Sequence, residues 1–332
     1  MPNSIATKFW IYSTAAIVLL GLYFTSLYSY LLYHGLAEIF SVVVAFGIFS
    51  VAWNSRRFMD NNYLIVVGVA YLFVGGLDLM HTLAYKGMGV FSGHSANLAT
   101  QLWIAARYLE SLSLLIAPVF LRRRINIAQL VIGYSAIFTL ALLSIFYWKI
   151  FPNCFNEATG LTVFKKLSEY LICLILLLSI LAIAKKRAEF DPVVYKLIIA
   201  SIASTIGAEL AFTFYISVYG FLNLIGHYFK IISFYLIYRA VIVNGLKKPY
   251  SIMFRNLKQS EETLRREKDR LEQALSQIRT LRGLLPICAN CKKIRDDKGY
   301  WNQLETYIHE HSEAQFSHGI CPECKKKLYP DL

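Results

Sequence analysis

Charge is what this sequence has least of. Asp, Glu, Lys and Arg make up 17% of its 332 residues, against about 25% in an ordinary soluble protein. Hydrophobic residues reach 56% and mean hydropathy is +0.47, which excludes a water-soluble globular fold for most of the chain. Catalytic signatures are missing too. There is no phosphoacceptor-histidine box, no Gly-rich ATP lid and no GGDEF-like run, and only 87 residues follow Gly245, where a kinase or cyclase core needs roughly 200. No enzymatic activity is expected. Matching Gly/Pro breaks in two halves and an inverted repeat are also lacking, which argues against a transporter.

What is present is a series of apolar runs near twenty residues long, the mark of transmembrane helices. Eight are expected, at roughly 9–29, 31–53, 62–84, 97–121, 126–149, 166–184, 194–218 and 221–245. The first is preceded only by Lys8 and exceeds a signal peptide's apolar core, so it is expected to be retained. Lys8, Arg56, Arg57, Arg122 to Arg124, Lys185 to Arg187, Lys196, Lys247 and Lys248 all fall on one side; Lys86, Lys149, Lys165 and Lys166 fall on the other. The positive-inside rule then puts both termini in the cytoplasm. Much of the net charge of +13 is thus a topology signal. The Lys clusters of the tail lack interleaved aromatics, so no nucleic-acid partner is expected.

The few ionisable groups inside the spans are costly there and by default functional. His34 and Glu38 open the second span, Asp78 and His81 end the third, and Arg107 and Glu110 sit near the middle of the fourth. Spacings of three or four put each pair on one helix face. Glu169, Glu209 and His227 lie in the outer halves of their spans, whereas the cytoplasmic half is almost purely apolar. His34, Glu38, Asp78, His81, Arg107, Glu110 and His227 are therefore the candidate ligand-binding set, converging on one periplasmic-half site. Haem or a second metal there stays open, as do pure helix-to-helix pairing, an ion path, and snorkelling by Lys230 and Arg239.

The runs LLYHGLAEIFSVVVAFGIFSVAWNSRRFMDNNYL, AYLFVGGLDLMHTLAYKGMGVF and ANLATQLWIAARYLESLSLLIAP resemble the third family of bacterial membrane-associated sensor (MASE) domains, over roughly residues 10 to 245. The resemblance implies signal reception at the bacterial inner membrane. It names no ligand.

Beyond the membrane, Leu257, Leu264, Leu271, Ile278 and Leu285 recur every seventh residue. Such a seam predicts a parallel coiled coil, hence a homodimer through 251–285. The flanking seam, Glu261, Lys268, Leu275 and Arg282 beside Ser260, Glu267, Ala274 and Leu281, is mostly polar and makes the coil marginal. Next come two CxxC knuckles, Cys288/Cys291 and Cys321/Cys324. Four thiolates so spaced suit one structural Zn(II), with an iron–sulfur cluster or a dithiol redox pair as the alternatives. Cys154 and Cys173 stand apart from them. Between the knuckles, Asp297-Lys298-Gly299 predicts a turn, and Asn302 with Glu305 a capping box for a helix to about His311. Tyr300, Trp301, Leu304, Tyr307, Ile308 and Phe316 are the expected small core, too little to fold without a metal staple. This block resembles tails found after coiled coils in bacterial signalling proteins, which implies a docking role.

The sequence thus predicts an all-α polytopic membrane protein with three parts: a sensor of about eight helices (1–246), a coiled-coil linker (247–285) and a small zinc-ribbon-like module (286–332). Two functions fit. One is a receptor-adaptor that relays a signal to a separate cytoplasmic histidine kinase, response regulator or cyclase. The other is a membrane redox or metal-handling protein.

Overall fold

The structure, a computed structural model, describes residues 5–56, 62–91, 95–123, 125–213, 220–243, 248–277 and 284–329. It is mostly helical and divides into two compact units, residues 1–253 and 254–332.

The first unit holds α1 (Ile5–Tyr28), α2 (Tyr30–Ser55), α3 (Tyr63–Ala84), α4 (Ala96–Ile116), α5 (Ile127–Leu142), α6 (Val163–Lys185), α7 (Pro192–Thr213) and α8 (Phe221–Ile242). A 3-10 turn extends α4 to Phe120 and a π turn extends α5 to Tyr147. Among the described residues seven helices, α2 to α8, are long and apolar enough to cross a membrane; in α1 the described apolar stretch is Ala16–Tyr28. Helix starts follow from their caps. The side chains of Ser29, Ser95, Asn126 and Thr162 each accept a backbone N–H from the first turn, satisfying donors that the helix itself leaves open. The cap at Thr162 starts α6 three residues before the expected span, which draws Lys165 and Lys166 into the helix. Arg57, Arg124, Lys247 and the stretch 214–218 expected to end the seventh span lie outside the described residues.

Six of these helices close a ring. α2 packs on α3, α3 on α4, α4 on α6, α6 on α7, α7 on α8, and α8 back on α2, with α1 outside against α2 and α5 outside against α3. The α2–α3 seam is tight because of two glycines. A Cβ on Gly68 would lie 2.2 Å from the Cβ of Ala52, and one on Gly75 would lie 2.8 Å from that of Ala45. The two rungs are seven residues apart on both helices, so the backbones approach along one face, as small residues permit in bilayers. At one end of the ring a two-stranded hairpin, β1 (Phe155–Asn156) and β2 (Gly160–Leu161), is tied to α4. Asn97 Oδ1 accepts from the N–H groups of Cys154 and Phe155, at 2.7 and 3.0 Å.

In the second part of the chain, α9 (Lys248–Gln277) is about 45 Å long at 1.5 Å per residue. Leu257, Leu264 and Leu271 are exposed along it. Ile278, Leu281 and Arg282 lie outside the described residues, and Leu285 is not helical. It stands directly before Pro286, a position biased away from helical geometry, so the heptad does not run through it as expected. β3 (Ile294–Arg295) and β4 (Trp301–Asn302) pair antiparallel, followed by α10 (Leu304–His311) and α11 (Pro322–Leu328). The turn at 297–299 is as expected, with Gly299 at φ +90°. The capping box is not. Gln303 is the N-cap of α10 and makes no side-chain cap bond, because Asn302 belongs to β4 and donates instead to Asp296 Oδ2 at 2.8 Å. Nor is the core as expected: among the described residues of the tail Ile294 and Tyr307 are the buried ones, while Tyr300, Trp301 and Phe316 are exposed. A hairpin of two-residue strands and a two-turn helix offer too little area to cover three large rings.

Candidate functional site

Every helix of the ring sends ionisable side chains inward. All seven residues of the candidate set are buried, none more than 6% exposed. The structure sorts them into two connected layers.

The first layer surrounds a cavity of about 40 Å³ lined by His34, His81, Tyr85, Trp103, Phe212 and His227, together with Lys86, Ala96, Lys165 and Asn223. The His34 ring stacks on Tyr85 at 3.6 Å and stands edge-on to His227 at 4.9 Å and His81 at 5.5 Å. Two of the imidazoles are held by backbone. His81 Nδ1 lies 2.7 Å from Ala99 O, and His227 Nδ1 lies 2.7 Å from Asn223 O. A carbonyl only accepts, so both Nδ1 atoms carry the proton and a neutral ring keeps its lone pair on Nε2. His227 Nε2 faces Glu38 Oε1 at 3.3 Å. Both of these atoms, and both nitrogens of His34, are buried without a hydrogen-bond partner.

The second layer begins at the other oxygen of Glu38. Lys230 Nζ lies 2.6 Å from Glu38 Oε2 and 3.2 Å from Asp78 Oδ2. Arg107 Nη2 donates to both oxygens of Asp78, at 2.7 and 2.8 Å. Its Nη1 donates to Glu110 Oε2, and Glu110 Oε1 accepts from the Tyr71 hydroxyl at 2.8 Å. Trp103 lies beneath both cations, its ring centre 4.5 Å from Lys230 Nζ and 4.8 Å from Arg107 Cζ. One chain of polar contacts thus runs from the cavity through α8, α2, α3 and α4. A third group lies on α6 and α7, where Lys165 Nζ is 2.5 Å from Glu169 Oε1 and Glu209 faces Glu169.

Two expectations need correction. Lys230 does not snorkel: it is buried and bridges α2 to α3 through Glu38 and Asp78. Lys165 is not a loop cation: it is buried on α6 and also donates to Phe212 O at 2.9 Å. Its spacing of four from Glu169 was the available signal. Tyr71, Tyr85 and Trp103 gave none, since an aromatic in an apolar span looks like any other core residue. Among the described residues the buried carboxylates are Glu38, Asp78, Glu110, Glu169 and Glu209, and the buried Lys and Arg are Arg107, Lys165 and Lys230. With five acids against three bases, the ring holds two formal negative charges in excess.

The tail presents its own ligating groups. Each knuckle closes on itself: Cys291 N lies 3.5 Å from Cys288 Sγ, and Cys324 N lies 3.5 Å from Cys321 Sγ. These N–H groups hold the Cys288 and Cys321 thiols below the usual cysteine range. The four thiols do not form a common cluster. The one group of three or more ligating residues whose atoms lie within 4.8 Å of one another, among the described residues, is His34, Glu38 and His227.

Residues 25–249, about two thirds of the chain, match the family model of a membrane-associated sensor domain, MASE3. The match takes in the whole helix ring and every residue of both layers. Neither the curated proteins nor the solved structures contain a match to the chain.

Proposed function

The chain belongs to the MASE3 family of membrane-associated sensor domains, and from that membership we propose that it is a receptor-adaptor of the bacterial inner membrane. In this reading both termini are cytoplasmic and the cavity opens towards the periplasm. An effector that enters it is read by His34, Glu38, His81 and His227, while Asp78, Arg107 and Glu110 convert occupancy into helix position. α9 forms a parallel homodimeric coiled coil, and the Cys288, Cys291, Cys321, Cys324 module, closed by a structural Zn(II), docks a separate histidine kinase, response regulator or cyclase.

One observation carries this reading. Glu38 faces His227, which lines the cavity, with one oxygen and holds Lys230 with the other. Anything that changes the charge at Glu38 shifts the balance of Lys230 between Glu38 and Asp78, and with it the hold of α8 on α2 and α3. α8 is the last ring helix before α9 in the chain. An effector that binds the two arrangements unequally moves the equilibrium by that difference, and no more is required of it. The competing haem protein fits less well, because a cavity of about 40 Å³ is several times smaller than the roughly 300 Å³ at which small-molecule pockets begin.

The test is a comparison in the host cell of Glu38→Gln with a chain cut after residue 247. Both are expected to abolish the same output while membrane abundance of Glu38→Gln stays near wild type. A Glu38→Gln protein that responds normally, or one that vanishes from the membrane in proportion to its lost output, would reduce the cluster to a structural role.

A further inference from the structure

The contact between His227 and Glu38 does not balance while the imidazole is neutral. His227 Nδ1 is committed as a donor to Asn223 O, so a neutral ring turns the lone pair of Nε2 towards Glu38 Oε1, itself an acceptor, at 3.3 Å. Two acceptors buried face to face, with no hydrogen bond to either, are balanced by a proton on Nε2, which makes the contact an imidazolium–carboxylate pair, or by a cation that both ligate. His34 brings a third unpartnered group to the same point, within 4.8 Å of the other two.

We infer that His34, Glu38 and His227 bind a divalent first-row transition-metal ion of the zinc class, with the cavity supplying its open position. Three features fit. Two ligands at about 2.0 to 2.1 Å on a tetrahedral ion stand about 3.3 Å apart, which is the observed spacing of His227 Nε2 and Glu38 Oε1. His227 has its other nitrogen fixed by a backbone carbonyl, as metal-bound imidazoles do, and His81 is held the same way beside it. Finally, the three ligand atoms are buried and lie within 4.8 Å of one another, so one ion can meet them together. Imidazole with carboxylate suits zinc, copper or nickel better than calcium or magnesium. The inference rests on the cavity being the sensor's ligand site and names the chemistry of that ligand.

The test uses the full-length chain with Cys288→Ser, Cys291→Ser, Cys321→Ser and Cys324→Ser, so that tail thiols hold no metal. It is purified in detergent and equilibrated with Zn(II), or with Co(II) as a spectroscopic stand-in. The expected result is one metal per chain, a visible Co(II) spectrum without thiolate charge transfer, and a melting temperature that rises with added metal. His34→Gln breaks no hydrogen bond or ion pair in the ring, so its melting temperature without metal should match the parent while metal affinity falls at least tenfold; Glu38→Gln should also lose the metal. No bound metal in the four-serine chain, or affinity unchanged by both substitutions, overturns the inference and leaves the sensor reading untouched. Metal bound and lost as described, with signalling in the host unaffected by His34→Gln and Glu38→Gln, instead upholds the site and overturns the sensor reading.

Discussion

Arg107 and Asp78 fasten α4 to α3 in the interior of the ring: Nη2 of the one lies 2.7 and 2.8 Å from the two carboxylate oxygens of the other. Both side chains are almost wholly buried. Taking two charges out of water costs several kcal/mol each, and their attraction offsets that only when the remaining donors and acceptors are also used. Here Glu110 takes Arg107 Nη1 and Lys230 takes Asp78 Oδ2, while Arg107 Nε has no hydrogen-bond partner. The pair therefore acts as the fixed point of a longer network, and its worth lies in the neighbours it keeps satisfied.

Breaking that point should be expensive. Asp78→Asn leaves Arg107 and Lys230 short of one carboxylate, and loss of one partner of a buried pair costs about 3 to 5 kcal/mol. Tyr71→Phe removes a single hydrogen bond to Glu110 and should cost about 1.5 to 3 kcal/mol. Melting of the two purified variants in one detergent, ranked against the parent, gives the order directly. Equal losses would mean the network is not centred on Asp78.

The spans and the seven buried residues were legible because an ionisable side chain in an apolar helix has few places to go other than inward. Partners were harder. Lys165 follows a loop, so at the level of sequence it counts as a flanking charge; only the Thr162 cap places it inside α6. Lys230 had an acceptable alternative in snorkelling, and nothing local distinguishes a lysine that reaches water from one that reaches Glu38 from 192 residues away in sequence. In the tail, the expected aromatic core failed because local pattern cannot show that so small a module leaves Tyr300, Trp301 and Phe316 uncovered.

The α2–α3 seam makes a prediction about shape. Gly68→Leu drives a branched side chain into a gap where even a Cβ would lie 2.2 Å from Ala52. Overpacking of this kind costs about 1 to 3 kcal/mol. Gly133, on α5, has open space around its Cβ position, so Gly133→Leu should be neutral. Detergent melts separate the two, and a neutral Gly68→Leu would show that the seam is loose.

The tail thiols make a prediction about pH. Backbone N–H groups stabilise the thiolates of Cys288 and Cys321, and thiolate is the reactive form. Their alkylation should therefore stay fast as pH drops below the ordinary free-thiol value of about 8.5. Zinc should block it, and Cys288→Ser or Cys324→Ser should lower zinc content and make residues 286–332 protease-sensitive. Alkylation that ignores zinc at every pH would remove the metal from this module.

The seam on α9 makes a prediction about assembly. Leu264 and Leu271 are exposed two turns apart on one face, and a parallel partner would cover both. Replacing both with Lys should abolish cross-linking between cysteines introduced at position 278. Undiminished cross-linking would place the dimer contact elsewhere, in the helix ring or on another face of α9.

The group on α6 and α7 makes the prediction with an unusual sign. Glu169 and Glu209 face each other, Lys165 pairs with Glu169, Arg107 also acts on Glu209, and the three side chains of this group are buried. Removing the lysine leaves two carboxylates together, so Lys165→Met should be severely destabilising, by about 3 to 5 kcal/mol, as for any buried charge stripped of its partner. Removing an acid does the reverse. Glu209→Gln keeps the shape, removes one of two facing carboxyl groups and leaves Lys165 with Glu169 alone, so it should be neutral or stabilising. A carboxylate that ordinary substitution improves is one that stability alone does not explain, which is how a group kept for binding or switching behaves. The pair of melts decides it: if Glu209→Gln is as damaging as Lys165→Met, then Glu209 is already balanced, and the charge excess counted across the ring is smaller than two.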